Sequence, residues 1–172
     1  TRHTQSRDMT HAREQGVRFV NISPLREDAI DVLGSEWLAV RPNTDVALML
    51  ALAHTLLDES LHDKQFLETY TVGFEVFSRY LRGVDDGVEK NAAWASVITE
   101  IPAQRIAALA REMAASRTMI SLSWSLTRQH HGEQPFWAGT ALAAMLGQIG
   151  LPGTGVGYGY SAVNNVGQHA VH

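Results

Sequence analysis

The chain has 172 residues, 45% of them hydrophobic and 19% charged, with a formal net charge of −4. That length supports one compact domain with a real core, and the composition is that of a globular protein and not a disordered one. The charge sign argues against a nucleic-acid or anionic-membrane surface, and the absence of cysteine excludes disulfides, zinc ribbons, iron–sulfur ligation and thiol catalysis within the chain. In chain order, residues 4–15 are polar and helix-permissive, with Gly16 as a stop. Val17–Ile22 is rich in β-formers and ends at Ser23-Pro24, where proline withdraws a backbone donor. Arg26–Leu33 reads as a short helix closed by Gly34, and Glu36–Val40 as a second strand broken by Arg41-Pro42.

The clearest helix follows. Asn43-Thr44-Asp45 opens VALMLALAHTLLDE, with a capping side chain first and an acid in the first turn. Its centre is apolar all round, which predicts burial beneath other layers. Amphipathic pieces at 63–70, 74–82 and 91–100 come next, then a strong helix over Pro102–Ser116 with Ile106, Leu109, Ala110 and Met113 on one face. Met119–Ser123 is a third strand and Gln134–Gly147 a last buried helix. The glycine-rich end GTGVGYGY is expected to be a flexible crossing segment, since its alternating glycines follow a helix and lack a dinucleotide fingerprint.

Strands alternating with helices indicate an α/β fold with a largely parallel sheet, one domain over residues 1–160 and an irregular tail over 161–172. The longest apolar stretches, Val46–Ala53 and Thr140–Leu146, fall short of the roughly 20 residues that span a bilayer. The opening TRHTQSRDMTHAREQG has the character of an internal stretch, so a longer parent polypeptide is expected. The two most apolar helices, 44–58 and 134–149, are expected to need covering on several sides and to drive self-association of the isolated chain.

In open α/β sheets, ligands sit beyond the carboxyl ends of the strands, where loops enter helix N-termini. Three places answer to that: Ile22-Ser23-Pro24, Asn43-Thr44-Asp45, and Trp124-Ser125 with Arg128. A helix N-terminus suits a diphosphate, Arg128 could grip the same anion with two prongs, and the two oxygens of Asp45 match the ring N–H and amino group of guanine. Each residue also has a plainer role. Thr44 and Asp45 serve any helix start, Ser23-Pro24 any turn, Trp124 a core, and Arg128 a solvated loop. His130 and His131 are adjacent and therefore do not share a face, so they make a poor chelating pair. Asp85-Asp86-Gly87 reads as a turn, and His54 as a core histidine.

Four stretches carry a resemblance: RPNTDVALMLALAHTL, LHDKQFLETYTVGF, SWSLTRQHHGEQPFW and LAAMLGQIGLPGTGVGYGY. In this order they resemble the molybdopterin oxidoreductases of the dimethyl sulfoxide/trimethylamine N-oxide/biotin sulfoxide reductase family, from about Gly16 to Tyr160. The resemblance implies one internal domain of a much longer molybdenum enzyme that removes oxygen from S-oxides or N-oxides. That domain would bind the guanine dinucleotide end of one of two molybdopterin guanine dinucleotides. The cofactor contacts it implies are Ile22, Ser23, Asn43, Thr44, Asp45, Trp124, Ser125 and Arg128.

The partners it implies are the remaining domains of the parent and a small oxide substrate, in a periplasmic or cytoplasmic setting. Two departures stand out. Ser23 occupies a position where many relatives have Asp or Asn, which predicts a looser contact, and GTGVGYGY replaces a more uniform GGGFGxxY. The motif of the metal-ligating serine is absent from the chain, so reductase activity is not expected of these residues alone. A free-standing binding or assembly module without catalysis is the alternative reading.

Overall fold

The computed structural model describes residues 2–29 and 31–158. Helix α1 (Arg2–Glu14) ends at Gly16, whose φ of +89° lets its N–H return to the Arg13 carbonyl. Strand β1 (Val20–Ser23) runs parallel to β2 (Glu36–Ala39), with Ile22 opposite Leu38. The expected helix between them is instead two short 3₁₀ turns, Arg26–Asp28 and Asp31–Leu33. Helices α2 (Asp45–Asp58), α3 (Lys64–Tyr70), α4 (Phe74–Leu81), α5 (Ala92–Thr99) and α6 (Ala103–Ala115) follow. Strand β3 (Met119–Leu122) then leads through a 3₁₀ turn, Trp124–Arg128, to α7 (Gln134–Met145) and β4 (Gly155–Tyr158).

The α/β class holds, in a form the sequence did not anticipate. The strands make two parallel ribbons, β1–β2 and β3–β4, with no pairing between them among the described residues. The glycine-rich stretch expected to be flexible is β4 over Gly155–Tyr158, pairing with β3 from Met119↔Gly155 to Leu122↔Tyr158. Its alternating glycines are a period-two strand pattern. Gly155 and Gly157 are buried, and a Cβ on Gly155 would sit 3.4 Å from the Ile149 backbone. The remaining residues, 159–172, including the expected tail at 161–172, lie outside the described ones.

α2 is the centre of the core. Every residue from Ala47 to Leu57 is buried, because α5, α6 and α7 all pack on it. This chain therefore covers α2 by itself, contrary to the expectation that it would leave an apolar surface there. Leu56, Leu81, Ile106, Leu142 and Met145 are fully enclosed, each removal from water contributing about 2 kcal/mol. Exposed apolar side chains gather elsewhere, with Val72 99%, Tyr70 73% and Trp137 66% exposed around the α3–α4 corner and α7.

Polar anchors set the helix ends. Asp63 caps α3 by accepting from Phe66 N–H at 2.9 Å, and Asn91 caps α5 by accepting from Trp94 N–H at 2.9 Å. The 82–91 loop is fastened by Lys90, which is buried, donates to Asp86 and to the Val88 carbonyl, and lies 4.1 Å over the Tyr80 ring. His54 on α2 reaches Glu89 of the same loop at 2.8 Å.

At the amino ends of β1 and β2 four charges interlock. Arg105 of α6 holds both oxygens of Glu36, at 2.5 and 2.9 Å, and reaches Glu112 at 3.0 Å. Arg18 contacts the same two acids, at 2.5 and 3.0 Å. Donation from Arg105 holds the Glu36 carboxyl below its ordinary range, against an opposing push from burial and with further help from Arg18.

Candidate functional site

The opposite end of the strands opens on a cleft of about 340 Å³. The β1 and β2 side contributes Pro24, Val40, Pro42, Asn43 and Asp45, and the turn after β3 contributes Ser125, Leu126, Arg128 and Gln129. Chain leaving three strands thus converges on one cavity, the arrangement that α/β folds use for ligands. The turn entering α2 is specialised. Pro42 and Asn43 follow one another, and Asn43 takes φ +64°, a left-handed conformation that asparagine tolerates better than most residues. That turn delivers Asp45 to the first turn of α2, facing the cleft.

Asp45 is half-buried. Loss of water pushes its carboxyl above the ordinary aspartate range, and its own backbone N–H offsets this only in part. No ion pair among the described residues involves Asp45 or Arg128. A partly dehydrated acid and an unpaired guanidinium therefore line one small cleft, with the amides of Asn43 and Gln129 and the Ser125 hydroxyl beside them. The set offers acceptors, donors and positive charge to a polar anionic ligand.

Of the eight residues expected from the sequence, Asn43, Asp45, Ser125 and Arg128 meet in this cleft, and four do not form its walls. Ile22 packs on the core. The Ser23 hydroxyl donates to the Leu25 carbonyl at 2.6 Å, and its own carbonyl accepts from the Trp37 indole at 3.0 Å, so both groups are spent locally. Thr44 does not cap α2. Its hydroxyl donates to the Arg41 carbonyl at 2.6 Å, because the left-handed Asn43 turns it back toward the preceding loop. Trp124 is 46% exposed and stands outside the cleft.

Gln129 and Val40 were overlooked. Gln129 stands beside Arg128 in the same polar run, which was the available signal. Val40 required knowing that β2 ends one residue before it. Gly132 explains the shape of the polar run, since a Cβ there would meet the Thr127 carbonyl at 2.4 Å. Between that turn and α7, the His130 and His131 rings lie 3.9 Å apart, tilted by 52°. Among the described residues, no group of three or more His, Cys, Asp or Glu converges as a metal ligand set.

A second groove of about 380 Å³ lies between the α3–α4 corner and α7, lined by Leu67, Val72, Phe74, Phe77, Trp137 and Met145 among others. Its walls carry no ionisable side chain. Although slightly larger, it lacks the chemistry to recognise a charged nucleotide.

The molybdopterin oxidoreductase profile matches residues 2–170. The chain belongs to the molybdopterin oxidoreductase family. It is 52% identical over 154 residues to biotin sulfoxide reductase of Cereibacter sphaeroides, covering 90% of this chain and 21% of that protein. Dimethyl sulfoxide/trimethylamine N-oxide reductase of the same organism is 49% identical over 156 residues, covering 91% and 19%. Trimethylamine-N-oxide reductase 1 of Escherichia coli strain K12 is 52% identical over 147 residues, covering 84% and 17%.

The fold is shared with acetylene hydratase from Pelobacter acetylenicus, at a TM-score of 0.74 and 26% identity, over 84% of this chain and 19% of that one. This family member therefore spans about one fifth of the length of the relatives it matches. The family expected from the four sequence stretches is borne out.

Proposed function

We propose that this chain is the nucleotide-gripping segment of a longer molybdenum-dependent S-oxide or N-oxide reductase, and that its cleft holds the guanine dinucleotide end of a molybdopterin cofactor. One observation carries the reading: Asp45 and Arg128, distant in sequence, line the same cleft and neither has a charged partner among the described residues. The donor set fits the group. Asp45 supplies two parallel acceptors for the ring N–H and amino group of guanine. Arg128 supplies a fork for the diphosphate. Asn43, Ser125 and Gln129 satisfy the remaining polar atoms.

Dehydration of Asp45 strengthens its hydrogen bonds to a base and makes their loss costly, so the cleft discriminates between bases. The molybdenum cofactor, when bound, supplies the redox chemistry. The residues described here bind and orient it, and oxide reduction belongs to the longer polypeptide. The names of the relatives favour biotin sulfoxide, dimethyl sulfoxide or trimethylamine N-oxide as substrates. The rest of the polypeptide is the partner, and the chain by itself is expected to reduce none of them.

Calorimetric titration with guanosine diphosphate and adenosine diphosphate tests the reading. The guanine nucleotide is expected to bind more tightly, and Asp45→Asn to weaken it about tenfold, about 1.4 kcal/mol. Equal affinity for the two nucleotides, or no effect of the substitution, overturns it.

A further inference from the structure

Gly132 is buried between the turn that carries Arg128 and the first turn of α7. Its φ is not positive, so its backbone does not call for glycine. Space does. A Cβ on Gly132 would meet the Thr127 carbonyl oxygen at 2.4 Å, the Thr127 carbonyl carbon at 2.6 Å and the Leu126 carbonyl oxygen at 2.8 Å. All three are backbone atoms, which cannot swing aside as the end of a side chain can. Carbon atoms pack best from about 3.5 Å, so one added methyl would force a retreat of about 1 Å.

The way each side is held decides which one retreats. Behind Gly132, Pro135 is fully enclosed at the start of α7. The Glu133 carbonyl closes that first turn by accepting from Phe136 and Trp137 N–H at 3.2 and 3.3 Å. The Trp124–Arg128 turn is held more lightly. Leu126 packs on the core, while Trp124, Ser125, Thr127 and Arg128 are exposed. The Thr127 hydroxyl donates to the Trp124 carbonyl at 2.8 Å, and Ser125 N–H donates to the Ser123 hydroxyl at 3.3 Å. Those bonds tie the turn to itself. It would therefore yield as a unit, carrying Ser125, Arg128 and Gln129 with it, the residues that make one wall of the cleft. Asp45 belongs to the other wall, on α2, whose residues from Ala47 to Leu57 are buried, and it would stay in place.

We propose that Gly132 is a positioning residue for the Arg128 wall of the cleft. By letting the Thr127 carbonyl lie against the chain entering α7, it sets the reach of the guanidinium toward an anion whose other end Asp45 holds. This inference rests on the nucleotide reading of the cleft. Hydrogen bonds from a guanidinium to a phosphate run about 2.7–2.9 Å, so a retreat of about 1 Å breaks them. Gly132 itself touches no ligand and acts only through the turn.

Gly139 of α7 supplies the contrast. A Cβ there would meet Leu122 Cδ1 at 2.7 Å, the far end of a flexible side chain, and Met49 Sδ at 3.8 Å. It lines no part of the cleft. Both glycines admit a close neighbour, and only Gly132 admits one that carries cleft residues.

Two measurements on the purified chain test the proposal. Without ligand, Gly132→Ala is expected to speed hydrogen exchange at the Leu126 and Gln129 amides about tenfold and to leave those of α2 unchanged. Gly139→Ala is expected to change neither Leu126 nor Gln129. With ligand, Gly132→Ala is expected to weaken guanosine and adenosine diphosphate alike, about fivefold, keeping the ratio between them that Asp45 sets. Gly139→Ala is expected to weaken neither. In an Arg128→Ala background most of the Gly132→Ala loss is expected to vanish, since both changes remove the same contact. Thr127→Gly loosens the turn from its exposed side and is expected to weaken both nucleotides about twofold. It carries the test if the Gly132 variant does not fold. Unchanged affinity, a changed ratio, losses that simply add to that of Arg128→Ala, or equal effects from Gly139→Ala overturn the proposal. If the unsubstituted chain shows no preference for guanosine diphosphate, the reading of the cleft fails, and the ligand-free exchange pattern still decides whether Gly132 sets the turn.

Discussion

The two ends of the β1–β2 ribbon treat charge in opposite ways. At the amino end, Arg18, Glu36, Arg105 and Glu112 are all paired, and Arg105 keeps only 20% of its side chain in water. At the carboxyl end, Asp45 is partly dehydrated and Arg128 lines the same cleft, and among the described residues neither has an ion-pair partner. The first arrangement stabilises the fold. The second costs the empty fold some stability and leaves charge available to a ligand, which is how binding clefts differ from structural ion-pair networks.

The largest expected effect breaks the amino end. Glu36→Ala removes one of the two acids that Arg18 and Arg105 share, leaving them only Glu112, and is expected to cost about 2 kcal/mol in a urea melt, with guanosine diphosphate affinity unchanged. A parallel loss of affinity would mean that the two ends are not independent. The sign of the pH dependence belongs to the same test. Because the Glu36 carboxyl is held low by Arg105, its stabilisation is present above the ordinary glutamate range and is lost as pH falls through the lowered value. Glu36→Gln is therefore expected to flatten the acid limb of stability.

Next in size is the cleft. Beyond weakening guanosine diphosphate, Asp45→Asn is expected to gain affinity for xanthosine diphosphate, because an amide can donate to the carbonyl that replaces the guanine amino group. A loss for both nucleotides would mark Asp45 as structural. Binding of guanosine diphosphate by the unsubstituted chain should also fade on acidification at a higher pH than an ordinary aspartate would give, since burial raises this carboxyl. Arg128→Ala should weaken both guanosine and adenosine diphosphate about threefold to fivefold, an effect that shrinks at high salt.

The smallest effect has the opposite sign. A raised carboxyl favours the folded state below its ordinary pKa and loses that contribution as pH rises through the raised value. At neutral pH the ionised Asp45 therefore burdens the empty chain, and Asp45→Asn is expected to raise the Tm slightly in calorimetry. A lower Tm would place Asp45 with the structural charges of the amino end.

Much of this was legible in one dimension. The apolar run of α2, the proline and the apolar face of α6, and the stops at Gly16 and Arg41-Pro42 are local signals, and local signals fix where elements begin and end. That Asp45 and Arg128 share one cleft was readable only as a coincidence of strand ends. Thr44 misled because its hydroxyl has two nearby backbone partners, and the left-handed Asn43 chose between them. The glycines of β4 misled because glycine disfavours a strand, and the φ of +95° that Gly155 takes where it enters the pairing with β3 is set by the fold.

Composition and patterning by themselves determined the class, the helices and the four family stretches, since these depend on neighbours within a few residues. Tertiary structure alone decided that the described strands form two ribbons, that Ser23 and Thr44 turn inward to their own loops, and that Asp45 loses water without gaining a cation among the described residues. Those outcomes depend on which distant backbone arrives beside a residue, and short-range propensity carries no record of that.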